Sequence, residues 1–266
     1  MRGPSTQILT TIIMVLIAGF VPLPAQVARQ VAAAADSTEK PKVVLVELFT
    51  SEGCSSCPPA DTLLRQINGT QTAAGQLIVG ISEHVTYWNS LGWSDPFSSP
   101  VYTKRQNAYG TKFGLDSVYT PQMVIDGAAQ IVGSDRFGLV RALQKEQNEP
   151  SLVSLRILSI ARTGTSLTVN FSTAAEASVH NADIIAVIAD DADQSSVLHG
   201  ENSGRTLVHV AVARSLSRVA KLRSAVEQTV QIQLPRSFHE SQGHHLILFV
   251  QAPANGRVLG VDTKSL

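Results

Sequence analysis

The sequence predicts an α/β domain followed by a mainly antiparallel β-sandwich, and three observations carry that reading. Two apolar runs, VVLVELF at 43–49 and LIVGIS at 77–82, flank a helix-patterned segment, which makes a parallel βαβ unit with a right-handed crossover. The dipeptide Asp126-Gly127 between two short apolar runs marks a β-hairpin. Beyond Glu149-Pro150, strand-like runs follow one another with turn residues, and no amphipathic helices, between them.

The chain has 266 residues, room for two ordinary domains, and a formal net charge of zero. With no basic excess, nothing points to nucleic acid or to an anionic membrane surface. Residues 1–35 read as a signal peptide and leader. Arg2 precedes an apolar run at 8–21, and Pro22, Pro24 and small residues suited to cleavage follow. The competing reading is an uncleaved anchor, but a spanning helix needs roughly 20 residues and the run is shorter. Cleavage makes the mature protein secreted or periplasmic, where two neighbouring thiols tend to become a disulfide.

The first domain is expected over 36–149. Its opening strand, 43–49, is apolar on both faces and ends in the turn TSEG, followed by Cys54, Cys57 and Pro58-Pro59. Ala60, Leu63, Leu64 and Ile67 then recur at helical spacing until Asn68-Gly69 stops the helix. An aromatic-rich segment at 83–100 holds Tyr87, Trp88, Trp93 and Phe97. It reads either as a groove for a peptide or small ligand, or as a packed lid over the sheet end. A helix at 101–109 leads to Thr120-Pro121, the short strand 122–125, the hairpin and its partner strand 129–132. A last helix runs to about Gln147, with Ser134 as its expected N-cap. The second domain, 150–266, carries strands at 152–161, 166–172, 183–189, 205–213, 229–234, 245–251 and 258–261.

Cys54 and Cys57 are the only cysteines, so they close a very short loop, where a disulfide gains little chain entropy. In Cys-x-x-Cys the first cysteine sits at a helix start, where unpaired N–H groups and the helix dipole stabilise a thiolate. Cys54 is then the attacking thiolate and Cys57 the resolving thiol. A permanent disulfide that stiffens the turn is the bland alternative. A third reading is a soft metal such as copper held by Cys54, Cys57 and His84, because His84 follows the second strand and sites gather at strand carboxyl ends. His84 could equally tune Cys54 or simply pack. The polar turn GENSGR at 200–205 reads as a tight loop whose Glu201 and Arg205 pair with each other or with the first domain.

Laid out in order, strand, CSSC helix, strand, helix, Thr-Pro, hairpin and helix resemble the thioredoxin fold over 42–148. That resemblance implies an α/β thioredoxin-like domain in which Thr120, ahead of a cis Pro121, docks an extended substrate. It also implies that Glu47 is a buried carboxylate moving protons for the resolving thiol. The stretches LFTSEGCSSCPPAD, HVTYWNSLGWSDPF, YTPQMVIDG with IVGSD, and GENSGRTLVH further resemble an uncharacterised family of secreted thioredoxin-like proteins, a domain of unknown function. The family pattern commonly has acidic residues where this chain has Thr86 and Asn89. The expectation is an exported thiol–disulfide oxidoreductase without a cofactor. Its partners are an exported protein or a small-molecule thiol, with a separate electron donor or acceptor, and Trp88 and Trp93 lie along the substrate path. The alternative is a non-catalytic binding or copper-delivery protein on the same scaffold.

Overall fold

In the computed structural model, which describes residues 41–239 and 242–266, the protein is built on a mixed eight-stranded sheet. The signal-peptide expectation falls outside the described residues. Along the chain the elements are β1 (Val43–Thr50), α1 (Pro58–Ile67), β2 (Leu77–His84), a 3-10 turn (Asn89–Leu91), α2 (Pro100–Phe113), β3 (Gln122–Ile125), β4 (Ala129–Val132) and α3 (Arg136–Gln147). The rest is strand: β5 (Val153–Thr163), β6 (Ser166–Ala175), β7 (Asp183–Ser196), β8 (Thr206–Lys221), β9 (Val226–Gln233), β10 (His244–Gln251) and β11 (Val258–Ser265).

β1 is buried from Val44 to Thr50, as its aliphatic run requires, and it lies parallel to β2 and antiparallel to β3. Alternation sorts its side chains. Val44, Val46 and Leu48 pack with Ala60, Leu63 and Leu64 of α1 and Leu139 and Leu143 of α3. Leu45 and Phe49 face the other way, towards Tyr102 and Tyr109 of α2. Asp126 and Gly127 both have positive φ, 44° and 58°, and form a tight turn closed by the Ala128 N–H donating to the Ile125 carbonyl at 2.8 Å, ahead of the Ile125–Ala129 pair. The cap of α3 is Asp135, whose carboxylate accepts the Gly138 N–H at 2.8 Å, and not Ser134 as the sequence suggested. The Thr120–Pro121 bond is cis.

The expected division into two domains at 149/150 does not describe the sheet. Strand order is β11-β10-β7-β8-β2-β1-β3-β4, so four strands of the second half extend the sheet of the first through β2 and β8. Pro41–Leu266 forms one compact unit. A sandwich does form, but only half of it is a separate sheet. The three-stranded β5-β6-β9 sheet packs Leu155, Val169 and Phe171 against Ile184, Ile188 and Leu248 of the large sheet. Periodicity reports which side chains face inward; it does not report which edge a strand joins, and that is why the shared sheet escaped the sequence reading.

A buried polar network locks the two halves. Arg105 on α2 pairs with Glu47 of β1 and lies 3.5 Å from Glu83 of β2, while its guanidinium donates to Gln251 of β10 at 3.1 Å and Tyr109 at 3.0 Å. Burial, then the charge of Glu47, holds Glu83 well above the usual carboxylate range. Two buried carboxylates thus share one guanidinium.

Candidate functional site

β1 runs into a tight turn because Ser51 accepts the Cys54 N–H at 3.1 Å and Cys54 accepts that of Cys57 at 3.2 Å. Cys57 is the N-cap of α1 and Pro58 occupies the first turn, where its missing N–H breaks no bond. Cys54 and Cys57 form a disulfide with Cα atoms 5.4 Å apart, and both residues are fully buried, whereas Ser55 and Ser56 between them are exposed.

The cover comes from distant segments. Trp88 packs its Cβ where a Cβ on Gly53 would be, 3.0 Å away, and its indole N–H donates to Thr120 Oγ1 at 2.8 Å. Trp93 donates to Glu52 Oε2 at 2.8 Å. The 200–205 turn closes the top. The buried Asn202 amide donates to the carbonyls of Glu52 at 2.8 Å and Cys54 at 2.9 Å, and Glu201 accepts the Ser55 N–H at 3.1 Å.

Below the turn lies a cluster of buried ionisable groups. His209 of β8 sits 3.3 Å from Glu52 Oε1 and 3.7 Å from Asp61 Oδ1. Burial alone would lower its pKa, but hydrogen bonding and the charges of Asp61 and Glu52 outweigh that and push it up to about 10. Asp61 also accepts from Thr50 Oγ1 at 3.0 Å, and Ser195 of β7 donates to Glu52. Beside them His84 Nδ1 pairs with Asp95 at 2.7 Å, and its ring stands edge-on to that of His209 at 4.7 Å. Asp95 is lowered despite its burial by His84 and by the N–H groups of Glu52 and Phe97.

A family model described as a protein of unknown function, DUF1223, matches residues 45–251. The chain belongs to the DUF1223 family. Among solved structures it is similar to protein AGR_C_4864 from Agrobacterium tumefaciens, at 26% identity over 85% of this chain and 95% of that one, with a TM-score of 0.63. It is also similar in fold to HBP35 of Porphyromonas gingivalis, at 12% identity over 85% of this chain and 76% of that one, with the same TM-score of 0.63. No curated protein matches it.

In this DUF1223 chain the structure brings Cys54, Cys57, Trp88, Trp93, Thr120 and Pro121 into one neighbourhood. Pro121 belongs to it through Gly133, where an added Cβ would meet Pro121 Cβ at 2.9 Å and Ala60 Cβ at 3.0 Å. The tryptophans are half-buried and both indole N–H groups are spent on the protein, so the aromatic insertion is a packed cover here, not an open groove. Glu47 is not part of the site. It points to the α2 face of β1, bound by Arg105 and by the Tyr109 hydroxyl at 2.6 Å, while Ala60, Leu63 and Leu64 of α1 pack against the opposite face. A one-residue offset along a strand turns a side chain to the other face.

His84 is fully buried with Nδ1 committed to Asp95, and the two sulfurs are bonded to each other. Among the described residues, no group of three His, Cys, Asp or Glu side chains is arranged to hold a metal ion. Sequence reasoning missed Glu52, Asp61, Asp95, Asn202 and His209. Glu52 and Asp61 flank the cysteines and Asn202 lies in the singled-out GENSGR, but only the fold reveals that His209 belongs with them.

Proposed function

We propose that this protein is an exported, thioredoxin-like thiol–disulfide oxidoreductase whose working group is the Cys54–Cys57 dithiol. The observation that carries the reading is the disulfide at the junction of β1 and α1, flanked by Trp88 and the Thr120–Pro121 segment. After reduction, a Cys54 thiolate would gain from the N-terminal dipole of α1. It would attack one sulfur of a partner disulfide, forming a mixed disulfide and releasing one partner thiolate. Cys57 would then attack Cys54 Sγ, restoring the internal disulfide and releasing the second partner thiolate. The protein dithiol is oxidised by two electrons as the partner disulfide is reduced, and the reverse sequence oxidises a partner dithiol. Thr120 would line the approach of the partner chain.

One observation favours a second reading. Both cysteines are fully covered, as suits a structural bond in a binding protein on the same scaffold. The measurement that separates the readings is the equilibrium of Cys54–Cys57 with graded glutathione or dithiothreitol buffers, together with partner trapping by Cys57→Ser. The exchange reading expects a potential above about −300 mV and trapped mixed disulfides; a lower potential with nothing trapped overturns it.

A further inference from the structure

Exchange at a buried dithiol needs somewhere for the Cys57 proton to go, and the carboxylate expected for that task, Glu47, faces away. Cys57 has helical φ and ψ, and its carbonyl accepts the Asp61 N–H at 3.1 Å, so the two residues stand one turn apart on the covered face of α1. Side chains four residues apart on a helix have Cβ atoms roughly 5–6 Å from one another. Asp61 is 6% exposed and Cys57 is fully buried, so that proximity lies inside the protein.

We propose that Asp61 accepts and returns the proton of the Cys57 thiol, with His209 as the positioning residue that holds the carboxylate ready. The inference rests on the dithiol reading above. In the mixed-disulfide stage the Cys57 S–H proton passes to the Asp61 carboxylate while Cys57 Sγ bonds to Cys54 Sγ. The partner sulfur leaves with the electron pair of the broken bond, and the carboxylic acid then gives its proton to that thiolate through solvent. Run backwards, the same group protonates the Cys57 thiolate released when a partner opens the disulfide.

The surroundings of Asp61 suit the task. Thr50 Oγ1 fixes one carboxylate oxygen at 3.0 Å, and His209 Nδ1 stands 3.7 Å from the same oxygen. His209 is in turn faced by Glu52 from the turn after β1, the His84 ring at the end of β2 and the Phe97 ring at 5.7 Å; Asp95 backs His84 and Ser195 of β7 backs Glu52. His209 stands between the Glu52 and Asp61 carboxylates and so holds a positioned partner against Asp61 inside the protein.

The test uses the reduced mature chain and an aromatic disulfide such as 5,5′-dithiobis(2-nitrobenzoate). Release of the first thionitrobenzoate reports attack by Cys54; release of the second reports resolution by Cys57. For Asp61→Asn the ratio of second to first rate is expected to fall about 100-fold or more, the low end of what a positioned base supplies. Its pH profile should move up towards that of an unassisted thiol, and Asp61→Glu should recover part of the ratio. His209→Gln should shift the profile in the same direction. If Asp61→Asn and His209→Gln leave the ratio and the profile as in the parent, while both remain folded by circular dichroism, the proposal is overturned. Failure of the dithiol reading looks different, because then the parent protein shows a potential below about −300 mV and Cys57→Ser traps no partner.

Discussion

Removing the side chain that closes the cysteine turn should expose the disulfide to reductant. Asn202 is fully buried, and its one amide nitrogen donates to two backbone carbonyls, those of Glu52 and Cys54. Its oxygen accepts from Arg205 at 3.1 Å. In Asn202→Ala both carbonyls lose their partner while the turn stays closed, and a buried unsatisfied group costs about 1–3 kcal/mol. Lifting the 200–205 turn returns the carbonyls to water, so the penalty falls mainly on the closed form. Taking about 2 kcal/mol for the sum after relaxation, the open population rises roughly 30-fold. When opening is fast relative to attack, the rate of reduction follows that population. The assay is reduction of Cys54–Cys57 by excess phosphine, with thiols titrated over time and the global unfolding midpoint measured alongside. The expected result is acceleration on the order of 10- to 100-fold with a fall of only a few degrees in Tm. Reduction at the parental rate, in a variant whose stability has fallen, would refute the claim that this turn is the cover.

Three further outcomes follow from buried charge. Arg105→Met should cost about 3–5 kcal/mol in urea unfolding, because it strands Glu47 and Glu83, both fully buried, without the guanidinium between them; a loss below about 1 kcal/mol would contradict the network. Asp126 is buried, and that burial pushes its pKa from 3.8 up to about 7. The folded state therefore holds more protons than the unfolded one across that interval, stability falls by up to a few kcal/mol as pH rises through it, and Asp126→Asn, whose amide oxygen can still accept the Leu45 N–H, should flatten the slope. His209, raised from 6.5 to about 10, contributes stability that is fully present below 6.5 and lost as pH climbs through 10, so His209→Gln should remove the alkaline part of the unfolding profile.

Local chemistry was legible in the sequence and long-range assembly was not. VVLVELF, LIVGIS and Asp126-Gly127 fix β1, β2 and the β3–β4 hairpin through short-range rules, and each stands where the pattern put it. The Cys pair at a helix start was legible for the same reason, whereas the cis bond before Pro121 was implied only by the resemblance to the thioredoxin fold. The cover and the floor of the site rest on contacts that no local pattern encodes. Ser55 meets Glu201 across 146 positions, Cys54 meets Asn202 across 148 and Glu52 meets Ser195 across 143. The Glu47 assignment failed more narrowly, since a strand reverses its side chains at every residue and the loop length had to be known to within one.

The composition of the floor bears on which reading of the disulfide holds. A bond that only stiffened a four-residue turn would gain little entropy, and apolar neighbours would serve it best. The chain instead gathers Glu52, Asp61, His84, Asp95 and His209 in one cluster beneath that turn, all nearly or wholly buried. Desolvating such groups is expensive, and replacing a buried ion pair with well-packed hydrophobes is often neutral or stabilising. Stability therefore gives no reason to gather five ionisable side chains at the end of β1, next to an otherwise apolar seam with α1. The proposed exchange would supply one, because a thiol alternating between S–H and S–S out of contact with water would need a neighbouring proton acceptor.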